Sequence, residues 1–559
     1  GCYAQLCVGG RRREGVKRQR GIAADFADRV FDLIVIGAGI NGTGIARDAA
    51  LRGLRVLLLE KGDLCAGTSA WSSRLIHGGL RYLEHAELDL VRESLRERER
   101  LFANAPHLVK PLSFFIPLYK TNKRPPWMVK VGMVGYDLLS PGRSVAGHAM
   151  LTRAEALAHL PGLNPENLLG AATYCDGQVE LAERLCVENA LSARDGDAEV
   201  LTYARVENFI VEDNSVRGVQ FIDVLDGGEY EALAPVVINA SGPWVDEVLK
   251  GVGQPIGRLL GGTKGTHLVV DSFSGAPNDA LYIEAAHDGR PIFVLPWQGR
   301  YLIGTTDTHY TGDLDEVRPE EGEVAYLLQE LNHIFPLAEL VREDVLYAYC
   351  GVRPLPFVTE GATSKITRRH KTHDHAPELR GLISVIGGKL TTYRSLAEEV
   401  VDKVCAQLGK GAPCGTSEAK LPGADVEDFS AYGRQFKEES GLSLSTSERL
   451  LSIYGVRSAA IAERVRVDAA LVEPFCHHSG AIAAELLLAF EDEMAETLTD
   501  VLLRRTLVGL GPRLGLDAVD NAAGVAQRYL GWDDERVADE VERYRRYVER
   551  FCLSDLSKE

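Results

Sequence analysis

The chain has 559 residues and a formal charge of −18, with 45% hydrophobic and 25% charged residues. This length predicts roughly three to four domains, and the composition excludes collagen-like, coiled-coil and disordered classes. The acidic balance excludes a surface that grips nucleic acid throughout, so an anionic ligand needs a local basic pocket. The ten cysteines contain no C-x-x-C pair, a distribution that suits reduced cytosolic thiols rather than a disulfide framework or zinc site. No apolar run approaches the ~18–20 residues that cross a bilayer.

In chain order, residues 1–29 form a basic segment with Arg11, Arg12 and Arg13 in a row. It lacks a secretory apolar stretch and is expected to be a disordered tail. Phe31 to Ile36 is a short β-branched run, as a buried parallel strand requires. Gly37-Ala38-Gly39-Ile40-Asn41-Gly42 follows at once and fits G-x-G-x-x-G. A helix through Ala50 and a second strand, Arg55 to Leu59, lead to the acid Glu60. Gly37 permits the tight turn, Gly39 admits a pyrophosphate to the backbone and Gly42 lets helix and strand pack. The helix N-terminus then faces the phosphates and Glu60 can bind a ribose diol. The motif specifies a dinucleotide without separating FAD from NAD.

The stretch from Gly67 to Glu84 is too rich in Gly and Ser to build a core, yet it carries His77, Arg81 and Tyr82. Its string Ser72-Ser73-Arg74-Leu75-Ile76-His77-Gly78-Gly79-Leu80-Arg81-Tyr82-Leu83-Glu84 resembles the matching segment of the FAD-dependent, quinone-linked glycerol-3-phosphate dehydrogenases. Further blocks are similar to that family in the same order. They include Arg124 to Trp127, Asn239 to Trp244, Gly262 to His267, Gly304 to Asp307, Gly351 to Leu355, Gly387 to Arg394 and Leu502 to Thr506. The likeness runs from about residue 30 to the C-terminus.

The resemblance implies an α/β fold: a Rossmann-like FAD-binding domain (30–105, 170–250 and 345–415) interleaved with a β-sheet substrate domain (106–169 and 251–344). A helical C-terminal domain (424–559) follows. Val236 to Ala240 and Leu382 to Ile386 read as strands ending beside the cofactor, where ligands collect in open α/β sheets. Pro291 to Pro296 and Tyr301 to Gly304 read as a strand pair over the flavin. Val537, Val541, Tyr544, Val548 and Phe551 make an apolar helix stripe that packs on its own domain.

Oxidising a secondary alcohol with a flavin needs a proton acceptor, a positive environment for the reduced ring and a cationic clamp for substrate phosphate. Gly387-Gly388-Lys389-Leu390-Thr391 precedes an expected helix, whose dipole and N–H groups suit the ring's negative charge. Arg353 offers a planar fork to phosphate. By the resemblance, Arg81, Tyr82, His267, Arg353, Lys389 and Thr391 line the substrate pocket. Gly37, Gly39, Gly42, Glu60, Thr68, Ser69, Ser73, His77, Gly242, Asp307, Gly388, Lys389, Leu390 and Thr391 bind the cofactor. His267, Arg353 and Lys389 are the expected catalytic groups. His267 and His77 compete as base, and His267 is preferred because it falls in the substrate half. Cys65 reads as a buried small residue, and the tract His370, His373, His375 as a basic surface loop without metal.

Lys120, Lys123, Arg124 and Lys130 surround Trp127, Met128, Val131 and Val134. That arrangement fits either a peripheral anchor on anionic lipid or a core helix with a basic margin. The expected partners are sn-glycerol 3-phosphate, a membrane quinone and anionic lipid on the inner face of the cell membrane, with no nucleic acid. A homodimer is left open. The alternatives are an oxidase passing electrons to O2, a related FAD amine or amino-acid oxidase, and a non-catalytic flavin-bearing scaffold.

Overall fold

Apolar strands in the first half of the chain have no polar face to show water, and they assemble accordingly into a sheet covered on both sides. The computed structural model describes residues 23–26, 29–85, 87–140, 142, 144–358 and 369–553; the side chains of Arg81, Glu84 and His85 are outside that description. A six-stranded sheet runs in the order Lys371–Asp374, Leu382–Ile386, Val237–Asn239, Leu33–Ile36, Val56–Leu59, Glu199–Leu201. All its neighbours are parallel except the Lys371–Asp374 edge strand. Helices Ile40–Leu51, Ala182–Asp195 and Tyr393–Leu408 pack on it through Ile45, Ala49, Val187, Leu191, Val400 and Val404, all buried.

The second body is a ten-stranded mixed sheet. In it Val109–Tyr119 pairs antiparallel with Leu168–Val179, and Thr263–Val270 lies between Arg300–Gly304 and Val345–Arg353. The expected strand pair is present as the antiparallel strands Pro291–Trp297 and Arg300–Gly304. Two strands fall in this sheet although the sequence divides the chain at 170 and 345. Leu168–Val179 and Val345–Arg353 are both pleated and mostly buried, and alternation along one strand does not say which partner it will find.

The C-terminal region holds the helices Phe429–Glu439, Leu444–Tyr454, Ser458–Val467, Ala483–Asp492, Val519–Leu530 and Asp534–Val548. The stripe of the last helix is turned inward, with Val541, Tyr544, Val548 and Phe551 buried. This body is bolted to the parallel sheet by buried charges: Asp63, just past the second strand, meets Arg504 at 2.5 Å and Arg505 at 2.7 Å.

Two expectations change, and one open reading narrows. Most of the tail expected at 1–29 lies outside the described residues, but Ala23 and Phe26 are buried, Phe26 against Phe31, so that part packs as core. The histidine tract is an edge strand rather than a loop, with His375 buried and bonded to the Ser384 hydroxyl at 2.9 Å. Helix Pro126–Leu138 is not a core helix: Trp127, Val131 and Leu138 are 66%, 65% and 78% exposed, while Met133 and Tyr136 turn inward. No described helix is long and apolar enough to cross a membrane.

Candidate active site

A cavity of about 940 Å³ extends from the carboxyl end of the first parallel strand to the face of the mixed sheet. At its nucleotide end Gly37 has φ +99°, a left-handed value, and a Cβ there would lie 2.8 Å from the Ala240 carbonyl oxygen. At Gly42 a Cβ would fall 1.7 Å from the Gly37 carbonyl oxygen, so this glycine packs helix against turn and does not line the cavity. Glu60 accepts the Ala38 N–H at 2.6 Å and the Gly62 N–H at 3.0 Å. Burial pushes its carboxyl upward in pKa, partly offset by those two N–H donors. Each oxygen keeps a further lone pair for a diol. Ser69 accepts the Ile40 N–H at 3.0 Å and so caps the dinucleotide helix.

At the far end Gly387 to Thr391 joins the strand Leu382–Ile386 to the helix Tyr393–Leu408. Asn41 donates to the Gly387 carbonyl at 3.1 Å, and Thr391 Oγ1 accepts the His77 N–H at 3.1 Å. The three cofactor-facing loops are therefore tied together. Lys389 Nζ sits 3.7 Å from the Tyr82 ring centroid, a cation–π contact that fixes both side chains. Burial lowers the pKa of His77, so it is neutral at the cavity wall.

His267 comes from the central strand Thr263–Val270, in register with Gly304 on one side and Tyr349 on the other. Its Nε2 lies 2.8 Å from Ser73 Oγ, and its ring stacks on Tyr349 with centroids 5.1 Å apart. Nδ1 is buried with no hydrogen-bond partner among the described residues. Burial first, then the charges of Arg353 and Arg74, hold its pKa at about 3. Arg353, at the end of the adjacent strand, donates to Thr305 Oγ1 at 3.0 Å and to Asp307 Oδ1 at 3.1 Å. Its guanidinium is thus held rigid at the wall.

The cavity wall takes in the sequence-predicted Gly39, Glu60, Thr68, Ser69, Ser73, His77 and Tyr82. It also takes in Gly37, Gly242, His267, Arg353, Gly388, Lys389, Leu390 and Thr391. Two expected ligands have other employment. Asp307 is outside the wall and pairs with Arg353, and the Thr68 hydroxyl donates to the Val352 carbonyl at 2.7 Å. Arg81's side chain lies outside the described residues. Sequence reasoning missed the aromatic wall of Trp71, Tyr174, Tyr282 and Phe293, and the C-terminal contributors Tyr547, Arg550 and Phe551. Two of these carried a signal: Phe551 as the last member of the apolar stripe, and Phe293 within the strand Pro291 to Pro296 read as lying over the flavin. Cys65 is fully buried, and burial with its neighbour Cys186 raises its pKa far above that of a reactive thiol.

The wall suits a flavin dinucleotide. Asn41 Oδ1 and Trp244 Nε1 line the cavity as buried polar atoms without partners among the described residues, which a ligand's polar edge would satisfy.

Residues 32–394 match the FAD dependent oxidoreductase family, and residues 414–537 match the C-terminal domain of alpha-glycerophosphate oxidase. The chain is 43% identical over 545 residues to a glycerol-3-phosphate dehydrogenase of Synechocystis sp., covering 95% of this chain and 98% of that one. It is 33% identical to an aerobic glycerol-3-phosphate dehydrogenase of Staphylococcus epidermidis, over 87% of this chain and 88% of the relative. A crystal structure of the glycerol-3-phosphate dehydrogenase from Bacillus halodurans complexed with FAD superposes with TM-score 0.76 at 28% identity, covering 95% and 96% of the two chains. With the dinucleotide loop, the mixed sheet and the helical C-terminal body in the same order, the chain belongs to the FAD-dependent glycerol-3-phosphate dehydrogenase family.

Proposed function

We propose that the protein oxidises sn-glycerol 3-phosphate to dihydroxyacetone phosphate and passes the electrons to a membrane quinone. The observation that carries this is that His267, Arg353 and Lys389 line the same cavity as the dinucleotide loop. FAD, when bound, supplies the hydride acceptor at its N5. The FAD-binding half is the parallel sheet with its Gly37 to Gly42 turn, and the substrate half is the mixed sheet.

In this reading Arg353 receives the phosphate, because its fork is pre-set by Thr305 and Asp307 and loses little freedom on binding. Lys389 and Tyr82 place a second charge and an aromatic edge beside it. Thr391 orients the His77 loop. His267 takes the hydroxyl proton through Nδ1: with Nε2–H donating to Ser73 Oγ, Nδ1 carries the lone pair and has no partner among the described residues. A pKa of about 3 makes this a weak base before substrate binds. The phosphate dianion beside Arg353 cancels one of the charges that depress it, so substrate binding strengthens the base that acts on it. Arg81 is proposed as a further phosphate contact on the family resemblance alone.

The exposed apolar face of Pro126–Leu138, flanked by Lys120, Lys123, Arg124 and Lys130, supports peripheral contact with anionic lipid at the inner membrane face. Two measurements test these parts separately. Reduced enzyme mixed anaerobically with a quinone analogue should regain its flavin absorbance much faster than in air-saturated buffer; faster re-oxidation by air assigns the oxidase reading instead. The protein should co-sediment with anionic liposomes at low salt, and full solubility there removes the anchor.

A further inference from the structure

The last turn of the C-terminal body reaches the active site. Phe551, which ends the turn Glu549–Phe551 beyond helix Asp534–Val548, is 4% exposed and packs against Trp71 with centroids 4.7 Å apart and the rings tilted by 46°. Trp71 in turn packs on Tyr349 at 5.4 Å, and Tyr349 stacks on His267 at 5.1 Å. The four rings make an unbroken aromatic ladder from the end of the C-terminal body to the imidazole. Each rung has a second restraint: Tyr349 donates its hydroxyl to the Ser72 carbonyl at 2.8 Å, and Trp71 Nε1 donates to the Ala66 carbonyl at 3.3 Å. Ser72 adjoins Ser73, which holds His267 Nε2, so the ladder fixes both the stacked face and the bonded edge of the imidazole. The outermost ring alone comes from the separate helical body, where Tyr547 packs against it edge-to-face at 6.1 Å.

From this geometry we propose that Phe551 is a positioning residue for His267, acting through Trp71 and Tyr349, so that the FAD-bearing part completes its proton-accepting site only with the C-terminal body docked. The inference rests on the reading of His267 as the proton acceptor. Removing the Phe551 ring frees one face of Trp71, and interior packing passes that slack along the ladder rather than absorbing it at one residue. Two effects follow. The imidazole samples orientations in which Nδ1 misses the substrate hydroxyl, and water reaches a group that is now dry. The titratable and charged groups facing His267 are Tyr349 on the neighbouring strand, Arg353 at that strand's end and Arg74 beside Ser73; the flanking strand Arg300–Gly304 presents Gly304. None of these charges is altered by a change at position 551, so a shift in His267 titration reports hydration and geometry.

The test uses the FAD-loaded full chain with Phe551→Leu, which keeps apolar volume, and Phe551→Tyr, which keeps the ring. With saturating sn-glycerol 3-phosphate under anaerobic conditions, F551L is expected to reduce its flavin roughly tenfold more slowly, as small misplacements of a reacting group allow. Its apparent substrate affinity should stay within about twofold, and F551Y should recover the rate. In protein carrying 15N-histidine, the His267 signals, assigned by their loss in His267→Ala, should titrate at higher pH in F551L than in the unmodified chain. An F551L enzyme with unchanged rate and unchanged His267 titration overturns the proposal, as does an F551Y enzyme as slow as F551L. His267→Ala separates the two layers. If it reduces flavin at full rate, the base reading itself fails; if it is slow while F551L is normal, only the ladder fails.

Discussion

Asp63→Asn should loosen the joint between the FAD-binding sheet and the C-terminal body more than any other single isosteric change there. The native carboxylate takes Arg504 Nε at 2.5 Å and Arg505 at 2.7 and 2.9 Å, and Arg504 also pairs with Asp500 at 2.8 Å; all four side chains are buried. Two cations and two anions cancel, and the two guanidinia hold the Asp63 carboxyl below the usual carboxylate range despite its burial. An amide keeps the shape and removes one charge, leaving the cluster with a net buried positive charge. Coulomb energy for charges about 4 Å apart at an effective dielectric constant of 20 is about 4 kcal/mol. Breaking a buried pair from one side typically costs roughly 3–5 kcal/mol. At about 2–4 °C per kcal/mol for a domain of this scale, the first thermal transition should fall by roughly 6–20 °C. Differential scanning calorimetry with flavin fluorescence as a second probe measures it. A fall below about 2 °C refutes the reasoning. The quadruple change D63L/D500N/R504M/R505M should recover much of the loss, because it removes all four charges together rather than stranding one.

Other consequences are as direct. Gly42→Ala places a methyl 1.7 Å from the Gly37 carbonyl oxygen, so the variant should purify without flavin; a normal 450 nm band contradicts the packing role. Arg353→Lys keeps a charge but loses the fork on Thr305 and Asp307. Losing a hydrogen bond to a charged group costs about 1.5–3 kcal/mol, so the substrate dissociation constant should rise roughly 10- to 150-fold in a flavin-perturbation titration. His267 is held neutral with a pKa of about 3, against about 6.5 when unfolded. The unfolded chain therefore binds a proton that the folded chain refuses. This contribution to stability is fully present above about pH 6.5 and is lost as pH falls toward 3. His267→Gln should show a shallower loss of thermal stability between pH 7 and 5 than the unmodified chain; an equal or steeper loss contradicts the buried neutral imidazole.

The parts of the fold that were legible from sequence are those with short-range causes. Gly37 to Gly42 and Glu60 sit within one strand–helix–strand unit, so the spacing alone places them, and the structure puts Gly37, Gly39 and Glu60 in the cavity wall. The pair Pro291–Trp297 and Arg300–Gly304 was visible because two residues separate the strands. What was not legible depends on contacts between distant segments. Val345–Arg353 joins the mixed sheet through a partner some eighty residues earlier, which strand pattern cannot name. Asp307 carries the acid expected of a ligand, yet it faces Arg353 instead, because the strand ends of 304 and 353 meet only in the folded sheet. Phe551 looked like a core residue and is one; that its core includes Trp71, and through it the active site, is a fact of docking.

The central claim is most directly tested by mixing the FAD-loaded protein with sn-glycerol 3-phosphate in the absence of oxygen and following flavin absorbance. Rapid bleaching, stoichiometric with dihydroxyacetone phosphate formed and absent with unphosphorylated glycerol at the same concentration, is the predicted result. Flavin that stays oxidised at saturating sn-glycerol 3-phosphate would contradict the assignment of substrate and of His267, Arg353 and Lys389 to it.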